Sequence, residues 1–389
     1  LVWRGLADDT AAADIPGPAR TRILKGLQGE QAETLRILRE LLQDVLSRAP
    51  NGGGARGGSD RVQLLLALMS CVEAVVTLAP LKVTAASGVL AAVPMLLVQA
   101  SDEDVVPLGA LDVAVAVISR KDRYELPSAE GDMMWALMGP ILQATAEYAA
   151  KASRQHLSLT KRLTSVTCDF GVNHLATLAG AQGGELDGIA RLLANVCSYP
   201  AINVVAATLP FWGACVERQR NLPPAPHRVS SPANGLEAGV APSAPMLLQE
   251  GIQAQMLVSV MGCLGQGGMS PLDEEDFVEH EEYRQAAMTV RSRVLDVVRK
   301  TAALDPLPLL RLASGKFVQV LQKISTPTAQ ETIRRNDGDV SGSGRGVVDK
   351  AGAEGGDGAG SEATSEGDAW LKMLECIVET LPSPSDSFS

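Results

Sequence analysis

LDGIARLLANVCSYPAINVVAATLPFWGACVERQR, Leu186 to Arg220, is the segment whose reading decides the fold. Its first part carries Leu186, Ile189, Leu192, Leu193 and Val196 at helical spacing, which draws one apolar stripe along a helix. Tyr199-Pro200 ends that helix, because proline lacks an amide hydrogen and holds the residue before it out of helical geometry. A second helix restarts through Val204, Val205, Thr208, Leu209, Trp212 and Val216. It ends on Arg218 and Arg220, cations that suit the negative end of a helix dipole. Two helices, one tight turn and too little apolar area to stand alone make a unit that must stack on neighbours.

The rest of the chain follows the same pattern. Its 389 residues exceed what one core holds, and Ala, Leu and Val dominate a 46% hydrophobic share with only 3% aromatic residues. Sheets favour β-branched and aromatic residues. The composition therefore predicts an all-α protein, an α-solenoid of HEAT-like repeats, roughly seven to nine at ~40–47 residues each. Residues 1–327 are assigned to the repeats, with a Pro/Ser-rich surface loop at 221–245. A disordered Gly/Ser/acidic insertion follows at 328–369, carrying nine acids against four bases, and residues 370–389 start a further repeat. The opening on Leu1, without methionine or signal pattern, predicts a fragment of a longer protein.

Within the repeats, residues 16–49 read as one helix and Asn51 to Gly58 as a Gly-rich linker. The run from Val62 to Ala79 approaches the length of a membrane span, but Glu73 interrupts it and Pro80 and Lys82 follow at once. Buried solenoid helices are the expectation, with no membrane insertion. Ser270-Pro271 predicts a helix start, with the acids Asp273 to Asp276 in its first turn.

The chemistry of catalysis is not legible. The six cysteines form no C-x-x-C and sit in apolar helical runs, which reads as reduced core residues. His280 lies among acids without a second nitrogen or sulfur ligand, so no metal site is assigned. Ser314-Gly315-Lys316-Phe317 lacks the first glycine and the final hydroxyl of a phosphate loop. No enzyme activity and no cofactor are expected.

Four segments carry a family resemblance. Cys197-Ser198-Tyr199-Pro200 followed by Leu209-Pro210-Phe211-Trp212-Gly213-Ala214 resembles a repeat of the importin-β/exportin superfamily, in which a helix ends at His/Tyr-Pro and its partner carries an (F/T)W pair. Val117 to Lys121 (VISRK), Leu159 to Leu163 running on to Leu178-Ala179-Gly180-Ala181, and Asp273 to Phe277 with Leu304-Asp305-Pro306 are similar to segments of its exportin-5 branch. They fall in the same order, at similar spacing, between Ser119 and Leu321. The resemblance implies a nuclear export receptor that shuttles between nucleus and cytoplasm. It would bind Ran-GTP, nucleoporins and structured double-stranded RNA such as pre-microRNA hairpins. Pro210, inside what would be an inner helix, departs from the family and suggests a kink. A protein-cargo receptor of the transportin-3/importin-13 branch and a scaffold solenoid without a transport role stay open.

The net charge of −11 argues against indiscriminate nucleic-acid binding. Against that background three acid-poor groups stand out: Arg120, Lys121 and Arg123; Lys151, Arg154, Lys161 and Arg162; Arg284, Arg291, Arg293, Arg299 and Lys300. They read either as solvated helix ends or as phosphate contacts. With few aromatics to stack on single-stranded bases, the RNA reading points to duplex, which is held by shape and by backbone contacts.

Overall fold

The apolar run beginning near Val62 becomes a helix with no broad polar face, and what covers it sets the arrangement around it. The computed structural model describes residues 17–47, 55–98, 104–120, 128–180, 184–222, 254–258, 261, 269–325 and 358–379. Among these every regular element is helical, and no strand is present. The chain divides into two units, Leu1–Leu193 and Ala194–Ser389.

In the first unit, α1 (Gly17–Ser47), α2 (Ala55–Leu78), α3 (Leu81–Ser87), α4 (Ala92–Val98), α5 (Val105–Ile118), α6 (Ala129–Lys151) and α7 (Leu157–Asn173) form two rows. One row runs α1, then α3 and α4, then α6. The other runs α2, α5, α7, and each helix also packs on its opposite number: α1 on α2, α4 on α5, α6 on α7. Residues Ser59–Leu78 of α2 are long and apolar enough to cross a membrane by length and composition alone. Here they pack between α1 and α5. In α5, Ala110, Leu111, Ala114, Val117 and Ile118 have no exposed surface. Gly109 sets the α2–α5 approach, since a Cβ there would lie 2.9 Å from Met69 Cε and 3.2 Å from Leu66 Cδ2.

Helix ends follow local chemistry. The linker expected at Asn51 to Gly58 is helical from Ala55. Pro80 separates α2 from α3, and Gly88 closes α3 in the left-handed region at φ 67°. Ser128 caps α6 by accepting from the Gly131 amide at 3.0 Å, with Glu130 and Asp132 in the first turn. The helix expected from Leu157 to Leu178 breaks at His174 into α7 and α8 (Leu175–Gly180). Between α6 and α7 the Thr145 hydroxyl donates to the Ile141 carbonyl and accepts from Thr167 at 3.0 Å. Trp135 meets Phe170 edge-on, with centroids 5.6 Å apart.

The unit boundary falls inside α9 (Glu185–Val196). After the Tyr199-Pro200 turn, α10 (Ile202–Arg220) is assigned as one helix through Pro210, which lies on its exposed side. Phe211 is 0% and Trp212 2% exposed, so the aromatic pair is core. In the second unit α10 packs on α11 (His280–Ala302), and α12 (Pro306–Ser325) on α13 (Gly358–Glu379), which also touches α11. Two expectations are corrected here. The segment 358–369, read from its Gly, Ser and acids as disordered, is the start of α13: Ala369, Trp370, Met373 and Ile377 are buried, and that packing overrides poor propensity. Ser270-Pro271 opens a turn and a short 3-10 segment, Asp273–Glu275, and the helix begins only at His280. The remainder of 328–369, the loop at 223–245 and Cys263 lie outside the described residues.

His174 is 5% exposed, and burial pushes its imidazole below the ordinary histidine value of 6.5, against a hydrogen bond from the ring to the Ile118 backbone carbonyl that favours the charged form. A lowered folded pKa means that the unfolded chain takes the proton first, so stability falls as pH drops through about 6.5 toward the lower folded value. Thermal melts at pH 7.5 and 5.5 check this. Wild type is expected to lose more of its Tm on acidification than His174→Leu does; equal losses would mean that His174 is not the group responsible.

Candidate cationic surface and the Asp273 junction

Of the first basic group only Arg120 is described; Lys121 and Arg123 lie outside the described residues. Arg120 follows α5 directly and its guanidinium turns back onto α2, where Nη1 donates to the Val76 carbonyl at 2.9 Å and also to the Ala79 carbonyl. Those are carbonyls at the end of a helix, which have no intrahelical partner and attract a cation. Arg120 therefore closes the α2 terminus from 41 and 44 residues away.

In the second group one cation is tied to an acid that the local sequence does not contain. Arg162 pairs with Asp112 of α5. Lys151 Nζ sits 4.9 Å from the centre of the Tyr148 ring, a cation–π contact. Tyr148 in turn meets His156 edge-on at 5.1 Å, and His156 Nδ1 lies 3.0 and 3.2 Å from the Asp104 carboxylate oxygens. Burial, and then the nearby Asp104 and Glu147 charges, push the Tyr148 hydroxyl up. Arg154 is exposed on the 3-10 turn Arg154–His156, and Lys161 is half-buried.

The third group lies on α11. Lys300 is held 3.0 Å from both Asp296 of its own helix and Glu217 of α10, and hydrogen bonds to these two acids raise its pKa. Arg284 pairs at 3.6 Å with Glu281, both well exposed. Arg291 is half-buried, while Arg293 and Arg299 are exposed. Spacings of seven and eight residues put Arg284, Arg291 and Arg299 on one side of α11, each about 10–12 Å from the next at 1.5 Å per residue. Arg293 and Lys300 share the other side. Among the described residues this is the only one of the three basic groups that presents a row of arginines along a single helix.

Asp273 is the site that sequence reasoning misassigned. The N-cap position of α10 is Ala201, whose side chain accepts nothing. Asp273 supplies the missing acceptor: Oδ1 takes the Ile202 amide at 2.8 Å, and Oδ2 takes the Ser270 hydroxyl at 2.8 Å. Beside it the Asn203 side-chain Nδ2 donates to the Asp276 carboxylate at 2.8 Å. The acids thus complement the dipole of a helix begun 71 residues earlier, not one of their own. An alanine at a cap position and an Asp three residues after Ser270 were the available signals. Neither names its partner. Among the described residues no group of three His, Cys, Asp or Glu side chains is placed to hold a metal.

No family model matches the chain, and no curated protein matches it.

Asp273 is 2% exposed, so truncating it leaves a buried amide without an acceptor. Asp273→Ala is expected to cost about 1–3 kcal/mol, and Asp273→Asn less because an amide oxygen still reaches Ile202. Urea unfolding followed by Trp fluorescence measures both; an alanine variant as stable as wild type would remove Asp273 from this role.

Proposed function

We propose that the chain is a stretch of α-solenoid built from HEAT-like helix pairs and belongs to a nuclear export receptor of the exportin-5 type. It would carry structured double-stranded RNA, such as pre-microRNA hairpins, in a Ran-GTP-dependent complex, dock on nucleoporins and shuttle between nucleus and cytoplasm. The two-row packing of α1 to α7 supports the repeat reading, since each pair covers the apolar faces of the next. The transport reading rests on the four ordered sequence resemblances. The observation that carries the RNA reading is the row Arg284, Arg291 and Arg299, three cations spaced along one side of a helix.

A second reading, a protein-cargo receptor of the transportin-3/importin-13 type, is favoured by the internal commitments of Arg120, Arg162 and Lys300. These cations close a helix end and bridge helices. A scaffold without a transport role is the third outcome.

Hairpin-RNA affinity with Ran-GTP, measured at several salt concentrations, separates them. Each phosphate contact contributes about one to the slope of log affinity against log salt. Arg291→Gln with Arg299→Gln is expected to lower that slope by up to about two, alike for unrelated stem sequences, since backbone contacts carry no base information. Ran-dependent binding of protein without RNA binding would select the second reading, and binding of neither would leave the scaffold.

A further inference from the structure

A recess of about 430 Å³ opens between α1 and α3 in the first unit. Its floor is aliphatic, made by Ala32, Val83 and Ala86, and three cations border it: Arg36, Arg39 and Lys82. These cations are not equivalent. Arg36 is held by Glu33 and Glu40 on its own helix, so its charge is answered. Arg39 donates through Nη1 to the Ser87 carbonyl at 3.0 Å, while its Nε is buried with no hydrogen-bond partner among the described residues. Neither Arg39 nor Lys82 makes an ion pair among the described residues, and the recess lining holds no carboxylate.

A partly buried guanidinium with one donor unsatisfied and no counter-ion is an unfavourable arrangement unless something anionic completes it. The left-handed turn at Gly88 contributes to it. That turn brings the Ser87 carbonyl onto Arg39, and a Cβ at Gly88 would lie 3.6 Å from Arg39 Nη1. The guanidinium is thereby fixed at the edge of the recess while the floor stays apolar.

We infer that this recess is a binding site for an amphiphilic monocarboxylate, its anionic head between Arg39 and Lys82 and its aliphatic tail on Ala32, Val83 and Ala86. The tail is short, because α3 has only seven residues and spans about 10 Å. A bare phosphate would satisfy the cations and leave the floor wet; a neutral alkyl chain would cover the floor and leave Arg39 unanswered. The site is independent of the transport proposal, since it uses none of the cations invoked there.

Isothermal titration of the full chain with octanoate tests it, with octanamide and inorganic phosphate as controls. Octanoate is expected to bind at one saturable site, with octanamide and phosphate each at least tenfold weaker. Lys82→Gln, at an exposed position with no ion-pair partner among the described residues, is expected to weaken octanoate several-fold. Ala86→Phe, which fills the floor without touching a charge, is expected to abolish its binding, and thermal melts confirm that both variants fold. Equal binding of octanoate and octanamide would reduce the recess to an apolar groove. Phosphate binding as tightly as octanoate would make it a plain anion site. Either result, an absence of octanoate binding, or indifference to both substitutions overturns the inference.

Discussion

Helices that are apolar on more than one side cannot be covered by a single partner, and that constraint organises the first unit. In α2, Leu65, Met69, Val72, Val75 and Val76 are buried, and in α5 Val106, Ala110, Leu111, Val113, Ala114, Val117 and Ile118. Residues so distributed need neighbours in two directions at once. α2 finds them in α1 and α5, and α5 in α2, α4 and α7. At roughly 1.5–3 kcal/mol for each large aliphatic side chain taken fully from water, the continuous row is where stabilisation concentrates. Polar links such as Thr145 to Thr167 fix register on top of it.

Stacking leaves helix ends to be satisfied, and here the chain reaches across long separations. Arg120 closes α2 from beyond the end of α5, and Asp273 opens α10 from the far side of an unrelated segment. Both are charged groups placed on the matching dipole end, and both replace local caps that the sequence lacks at those positions. The same economy explains the basic clusters. Arg162 and Lys300 are answered by acids on other helices, so charges that look uncompensated along the chain become bridges between helices.

What could be read from sequence was the part governed by short-range periodicity. The helices around Leu186 to Arg220, the stop at Tyr199-Pro200 and the all-α class follow from apolar spacing and from proline's missing donor. The buried Phe211-Trp212 pair fits the same reading. What was missed depends on distant partners. Ser270-Pro271 has the form of a helix start, yet Asp273 is drawn away to Ile202 and the helix waits until His280. The Gly- and Ser-rich stretch 358–369 has poor helical propensity, but it leads into Ala369 and Trp370, whose burial holds the turns before them. The cations at 151–162 look uncompensated along the chain, because Asp112 lies 50 residues from Arg162.

The mutual covering of the α2, α5, α7 row is the claim on which the architecture stands, and native-state hydrogen exchange on the full chain tests it most directly. Leu111, with no exposed surface, sits in the middle helix of that row. Truncation to alanine is expected to cost about 2–5 kcal/mol. If the row is one mutually supported stack, Leu111→Ala will accelerate amide exchange in α2, α5 and α7 together and by comparable factors. Acceleration confined to α5, with α2 and α7 as protected as in wild type, would contradict the account.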